Sequence, residues 1–213
     1  MRKKFFKWAC AHRLQASALF ACIYMCLFLL AERLIQDPVW IVHCGLDDRI
    51  PFLKFTVIFY CAWFVEIGMS VLCFLKGEDK EFLRIYLALC VSGISCLLFY
   101  FLVPNGLNMR PADTAGTDLF SILVRIIHSA DTPNNVCPSL HVIFCVVMDM
   151  EWQDSSYLRH DTTKTRSILI HLLNILIILS TVTLKQHSVI DIAAGLVWAL
   201  AWEKVVRSCL LKE

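Results

Sequence analysis

Residues 14–31 read LQASALFACIYMCLFLLA, eighteen positions without a charge, bounded by Arg13 and Glu32. A bilayer-crossing helix needs about 20 mostly apolar residues, so this run predicts a transmembrane helix. The same pattern recurs along the chain. Phe55–Leu75 is broken only by Glu66, Ile85–Met109 holds a helix that leaves the membrane at Pro104, and Ser167–Leu184 is uninterrupted. Two further runs are less regular. One starts near Pro138 and loses its apolar character at Asp149, which places Glu151 and Asp154 at its far interface; the other extends from His187 to Arg207. At about 1.5 Å per residue that last stretch is long enough to cross. The expected fold is an all-α integral membrane bundle of six transmembrane helices.

Composition points the same way. Hydrophobic residues make up 58% and charged residues 18%, against roughly 45–50% and about 25% in soluble domains, and the mean hydropathy is +0.65. A disordered or collagenous chain is excluded. The net charge of +2 is too small to drive binding to a nucleic-acid backbone. A basic segment precedes the first run, but Glu32-Arg33-Leu34 follows it with no small-residue cleavage site, so it reads as a retained span.

Six spans put both termini on one side. Fourteen of the twenty Lys and Arg residues fall there, which makes that side cytoplasmic. The connections 36–54 and 104–137 and the turn near 185 then face away from the cytoplasm. The small size and minimal loops point to a bacterial plasma membrane. Residues 1–84 carry the basic segment and two spans, and residues 85–213 the remaining four of the same domain. Nine of the eleven cysteines lie in or beside apolar runs, where a thiol acts as a small hydrophobe. Cys44 and Cys137 lie in polar connections and could form one bridge.

Three polar segments converge on the extracytoplasmic end: Asn108-Met-Arg110-Pro111, Asn135-Val-Cys-Pro138-Ser139-Leu-His141 and Lys185-Gln-His187-Ser-Val-Ile-Asp191. His187 and Asp191, four apart, share a helix face. The carboxylate can hold one imidazole proton and leave the other nitrogen as nucleophile or base, or the pair can simply bridge two helices. Pro138-Ser139 reads as a helix start whose positive end favours anions. His141 in its first turn can donate a proton to a leaving oxygen or sit as an interfacial histidine. Arg110 and Lys185 can grip phosphate oxygens or snorkel at the interface. Taken as a set on one membrane face, they fit metal-independent phosphoryl transfer through a phosphohistidine.

The pattern Arg110-Pro111, Pro138-Ser139-Leu140-His141 and Ser180…Lys185-Gln186-His187-x3-Asp191 resembles the type 2 phosphatidic acid phosphatase superfamily over roughly residues 85–205. The resemblance implies His187 as nucleophile, Asp191 orienting it, and His141 protonating the leaving group. It further implies phosphate contacts from Arg110 and Ser139, with Asn135 and Ser180 in support and no cofactor. The chain departs from the family pattern at Val103 (usually lysine), Leu140 (usually glycine) and Thr181 (usually arginine). Pro-Ser-Leu-His and Lys-Gln-His are more similar to the inositol phosphorylceramide synthase branch, in which Lys185 would replace the missing arginine. The implied activity is hydrolysis of a lipid phosphate or pyrophosphate such as phosphatidic acid, phosphatidylglycerol phosphate or a polyprenyl pyrophosphate. Transfer of the phosphoryl headgroup to a second alcohol stands as the alternative. A haem-binding membrane cytochrome using His141 and His187, and a non-catalytic lipid-binding relative, are the rivals from other classes.

Four further features are expected to be structural or remain open. Glu66, mid-span, must face the bundle or a cavity, with a structural partner or a substrate role both open. Ala193-Ala194-Gly195 allows close helix packing. Asn135 orients a turn or only closes it. His12, His43, His128, His160 and His171 show no partner in the sequence and are read as structural.

Overall fold

The computed structural model describes residues 2–111, 116–156 and 164–210; His160, Arg159 and Lys212 lie outside them. The described residues form eight α-helices: α1 Arg2–Ala11, α2 Arg13–Leu34, α3 Val57–Phe74, α4 Asp79–Leu102, α5 Leu119–Ala130, α6 Leu140–Gln153, α7 Thr165–Thr183 and α8 Val189–Val205. A π-helical turn, Val206–Leu210, continues α8. Four helical stretches are long and apolar enough to cross a membrane: Arg13–Leu34, Lys54–Phe74 (α3 with its leading 3-10 turn), Asp79–Leu102 and Thr165–Thr183.

The other two expected spans exist as helices but are shorter. The helix α6 has 14 residues, and α8 has 17 before its π-helical continuation. Asp149 and Glu151 account for α6: its last turn is polar. Glu151 is not at an open interface, as the sequence suggested, but is fully buried. Arg84 of α4 and Arg207 donate to it, the latter at 2.7 Å, and Arg207 also bonds Glu203 at 2.8 Å. A carboxylate with two guanidinium partners is tolerable inside a bundle where a lone one is not.

The helix α6 is central and packs against α3, α4, α7 and α8. Accordingly its buried residues run around most of its circumference, from Val142, Ile143 and Phe144 to Val147 and Met148. The crossing with α8 is close. A Cβ on Gly195 would lie 3.0 Å from the Ser139 carbonyl oxygen and 3.0 Å from Val142 Cβ. The small-residue stretch on α8 is therefore a packing device at the first turn of α6.

The extracytoplasmic connections of the sequence reading are knitted together. Two-residue strands β1 (Trp40–Ile41) and β2 (Asn105–Gly106) pair in parallel, Trp40 with Asn105 and Ile41 with Gly106. The connection 104–137 also holds α5, which is capped by Asp118 accepting from Ser121 N and tied to Lys54 Nζ at 2.6 Å. Cys44 and Cys137 are both free thiols. His43 and His171 do have partners, Asp48 at 2.8 Å and Asp149 at 2.7 Å. Glu66 is buried on α3 beside Asn174 of α7, and neither of its oxygens has a hydrogen-bond partner among the described residues.

Because Gly195 leaves no room, Gly195→Val should force α8 off α6. Overpacking of this kind costs about 1–3 kcal/mol, which lowers Tm by about 3–10 °C in a chain of this size. Thermal unfolding in detergent measures it, and an unchanged Tm would mean that the two helices are not in contact there.

Candidate functional site

The turn before α6 is built from backbone-directed bonds. Asn105, fully buried, accepts from Val136 N and Cys137 N at 2.9 and 2.7 Å and donates to the Cys137 carbonyl at 2.9 Å. Tyr100 donates to the Pro138 carbonyl at 2.6 Å. With the turn fixed, Ser139 caps α6 by accepting from Val142 N at 3.4 Å, and its own N–H donates to the Asp191 carbonyl at 3.3 Å. His141 is thereby placed in the first turn of the helix. Its ring packs against Trp63 at 4.3 Å and Tyr60 at 4.5 Å between centroids, and its Nε2 has no hydrogen-bond partner among the described residues.

The turn before α8 is held from two directions. Ser188 and Asp191 form a capping box, in which Asp191 Oδ2 accepts from Ser188 N at 2.8 Å. The same oxygen lies 3.3 Å from His187 Nδ1. From outside, Asp47 accepts from Val189 N at 2.9 Å, from Ser188 Oγ at 2.7 Å and from Cys44 N at 2.8 Å. Burial pushes the Asp47 carboxyl up, but these three donors outweigh it and hold it below the usual carboxylate range.

The two histidines meet. Their ring centroids are 5.6 Å apart, edge to face, and both line a cavity of about 210 Å³. Tyr24, Met25 and Phe28 of α2 form one wall and Tyr60, Trp63 and Phe64 of α3 another; Asp131, Asn135 and Gln186 supply polar groups. Met25 and Phe64 are also exposed on the outer surface, 50% and 60%, so the cavity opens sideways between α2 and α3.

The remaining expected residues fall differently. Arg110 does not line the cavity: its Nη atoms donate to the carbonyls of Asp131 at 2.6 Å and Thr132 at 2.9 Å, and to Gln186 Oε1. It thus orients Gln186, whose Nε2 is buried on the cavity wall without a hydrogen-bond partner among the described residues. Lys185 also turns away. Its Nζ donates to the carbonyls of Asp47 and Ile50, both at 2.6 Å, so the expected phosphate contact is replaced by an anchor. Lys185 holds φ at 57°, a conformation that costs a side-chain-bearing residue, and the anchor offsets that cost. Ser139 is fully buried behind the cavity, and Ser180 Oγ only donates back to Ile177 O at 2.6 Å. Asn135, at φ 58°, lines the cavity and donates to Glu32 Oε1 at 3.1 Å.

Sequence reasoning missed Asp47, Asn105, Glu32, Asp131, Tyr60, Trp63 and Gln186. Asp131 accepts from Tyr60 OH at 3.1 Å, and burial pushes its carboxyl up against the opposing pull of Arg110. The signals available were weak: Asp47 and Asp131 sit in long polar connections with no period, and the aromatic pair reads as ordinary span residues. No family model, characterised protein or solved structure matches the chain.

Two outcomes follow. Asp47 is bound more favourably when ionised, so its contribution is fully present above about pH 4, its unfolded value, and is lost as pH falls through the lower folded value. Asp47→Ala should destabilise the neutral protein by about 1–3 kcal/mol, and the gap to wild type should close in acid; a gap that widens there would contradict the assignment. For Lys185, glycine relieves the backbone strain and alanine does not. Tm should therefore fall in the order wild type, Lys185→Gly, Lys185→Ala, and reversal of the two variants would remove the strain argument.

Proposed function

We propose that the chain is a membrane enzyme of six crossings that cleaves a lipid phosphoester, or a pyrophosphate, by way of a phosphohistidine on His187. The observation that carries this reading is the placement of His187 and His141 edge to face, 5.6 Å apart, at the head of a cavity that opens sideways between two helices. With both imidazoles on one cavity wall, a phosphorus atom bound in front of the pair can be attacked by one while its leaving oxygen is protonated by the other.

Asp191 on Nδ1 leaves the Nε2 lone pair of His187 free for attack. Nε2 bonds to phosphorus, the bond from phosphorus to the leaving oxygen breaks, and His141 delivers its proton to that oxygen. Water then attacks phosphorus while His141 takes the water proton, the P–N bond breaks, and both histidines return to their starting state. Gln186, steadied by Arg110, offers its Nε2–H to a phosphoryl oxygen. The cavity mouth between α2 and α3 suits a substrate that arrives from the bilayer. On the charge asymmetry of the six-span topology, the site belongs at the extracytoplasmic face, and the short loops suit a bacterial plasma membrane. An acceptor alcohol in place of water gives the transferase version of the same chemistry.

Phosphate release from a panel of lipid phosphates, in detergent with EDTA, tests the reading. Turnover should survive EDTA, fall below detection in His187→Ala, and fall about 10²–10⁴-fold in His141→Ala. Equal activity in His187→Ala would sink the mechanism. No release from any lipid would leave the transferase, to be tested with added alcohols; a purified protein with a Soret band would favour haem.

A further inference from the structure

The first of the membrane-length helices is preceded by a break. Between α1 and α2, His12 leaves helical geometry at φ −130° and ψ 48°. The break turns α1 onto the bundle, where it packs against α4. Ala9 is fully buried there, and Cys10 Sγ lies 4.0 Å from the Asp79 carbonyl oxygen. Arg13 fixes the corner. Its guanidinium donates to the carbonyls of Leu75 at 2.9 Å and Gly77 at 2.6 Å, pairs with Asp79 and covers the Phe82 ring. Most of these partners belong to the connection between α3 and α4, so α1 is held at the level where the long helices end instead of extending α2 outward.

The helix α1 presents three different faces. Phe6, Ala9 and Cys10, at i, i+3 and i+4, are turned to the bundle. Phe5 and Trp8, three apart on the next arc, are 42% and 38% exposed. Lys3, Lys4 and Lys7 occupy the remaining arc and are all exposed. Lys76 and Lys80, in the tethered connection and the first turn of α4, are exposed as well. Among the described residues no carboxylate lies within 4 Å of any of these five ammonium groups. Of the acids in that stretch, Asp79 is committed to Arg13 and Glu81 to Ser156, which leaves Glu78 against five lysines.

An aromatic pair flanked by cations suits a helix lying in a membrane interface, its rings below the headgroups and its ammonium groups among them. We infer that α1 lies in the plane of the bilayer surface and, together with the α3–α4 connection, forms a binding surface for anionic phospholipid headgroups. The lysines attract the phosphates, and Phe5 and Trp8 set the depth. A nucleic acid or an acidic protein would use the charges and leave both rings in water. The inference is independent of the chemistry at His187, since α1 meets α2 about three turns from Tyr24 on the cavity wall.

Quenching of Trp8 fluorescence in the full-length chain, reconstituted in phosphatidylcholine vesicles, gives the test. The Trp8 signal is the difference between wild type and Trp8→Phe. The quenchers are phosphatidylglycerol and phosphatidylcholine brominated high on one acyl chain, compared at equal mole fraction. Both should quench Trp8, and at low salt phosphatidylglycerol should be the stronger by about threefold or more. Combining Lys3→Gln, Lys4→Gln and Lys7→Gln, or raising the salt, should bring that ratio to about one while quenching itself persists. Soluble glycerol phosphate at matched ionic strength should leave the ratio unchanged. Should the triple variant not fold, Lys76→Gln with Lys80→Gln and the salt series on the wild type give the same readout. Trp8 out of reach of both lipids, equal quenching by the two at low salt, or a ratio unmoved by the lysine variants overturns the inference. Loss of the ratio to glycerol phosphate would make the surface a free-phosphate site and overturns it too.

Discussion

The close crossing of α6 and α8 at Gly195 is the contact on which the arrangement of the site depends. One histidine stands in the first turn of α6 and the other in the turn that leads into α8, so their separation is set by how near the two helix starts come. Without a side chain at Gly195, the Ser139 carbonyl and Val142 reach the α8 backbone, and the Ser139 N–H reaches the Asp191 carbonyl. Backbone contacts of this kind are short and stiff, whereas two long side chains would leave the imidazoles free to drift. The geometry is then locked from outside by Asp47, which accepts from the orphan Val189 N–H and from the Ser188 hydroxyl at the start of α8.

Most of the helical architecture was legible because apolar runs of span length leave few alternatives. Each of the six runs appears as a helix, and all but α4, which starts at Asp79 rather than Ile85, keep within a few residues of their expected limits. What hydropathy does not show is where the charged end of α6 goes. The sequence shows Glu151 as a charge that should seek an interface; it cannot show that Arg84 and Arg207, 67 and 56 positions away, converge on it. The helix α5 was missed because its twelve residues are too few for a span and lie inside what read as a loop.

The candidate site was legible in its histidine half only. His187 and Asp191 are local, four residues apart on one helix start, and His141 follows a recognisable cap. Local spacing carries that information. Arg110 and Lys185 were correctly placed at this end of the bundle and wrongly aimed, since the direction of a long cationic side chain is decided by which carbonyls fall within reach. Those carbonyls, at Asp47, Ile50, Asp131 and Thr132, belong to connections whose course no periodicity describes. The same gap hid Asp131 and Asn105.

The sideways opening between α2 and α3, with Met25 and Phe64 on the outer surface, has a consequence for any ligand of the proposed kind. A molecule that reaches the histidines through that gap diffuses in a plane and is counted by its mole fraction among neighbouring lipids, not by its concentration in the surrounding water. Diluting the ligand with inert lipid would then slow its capture, and adding buffer would not.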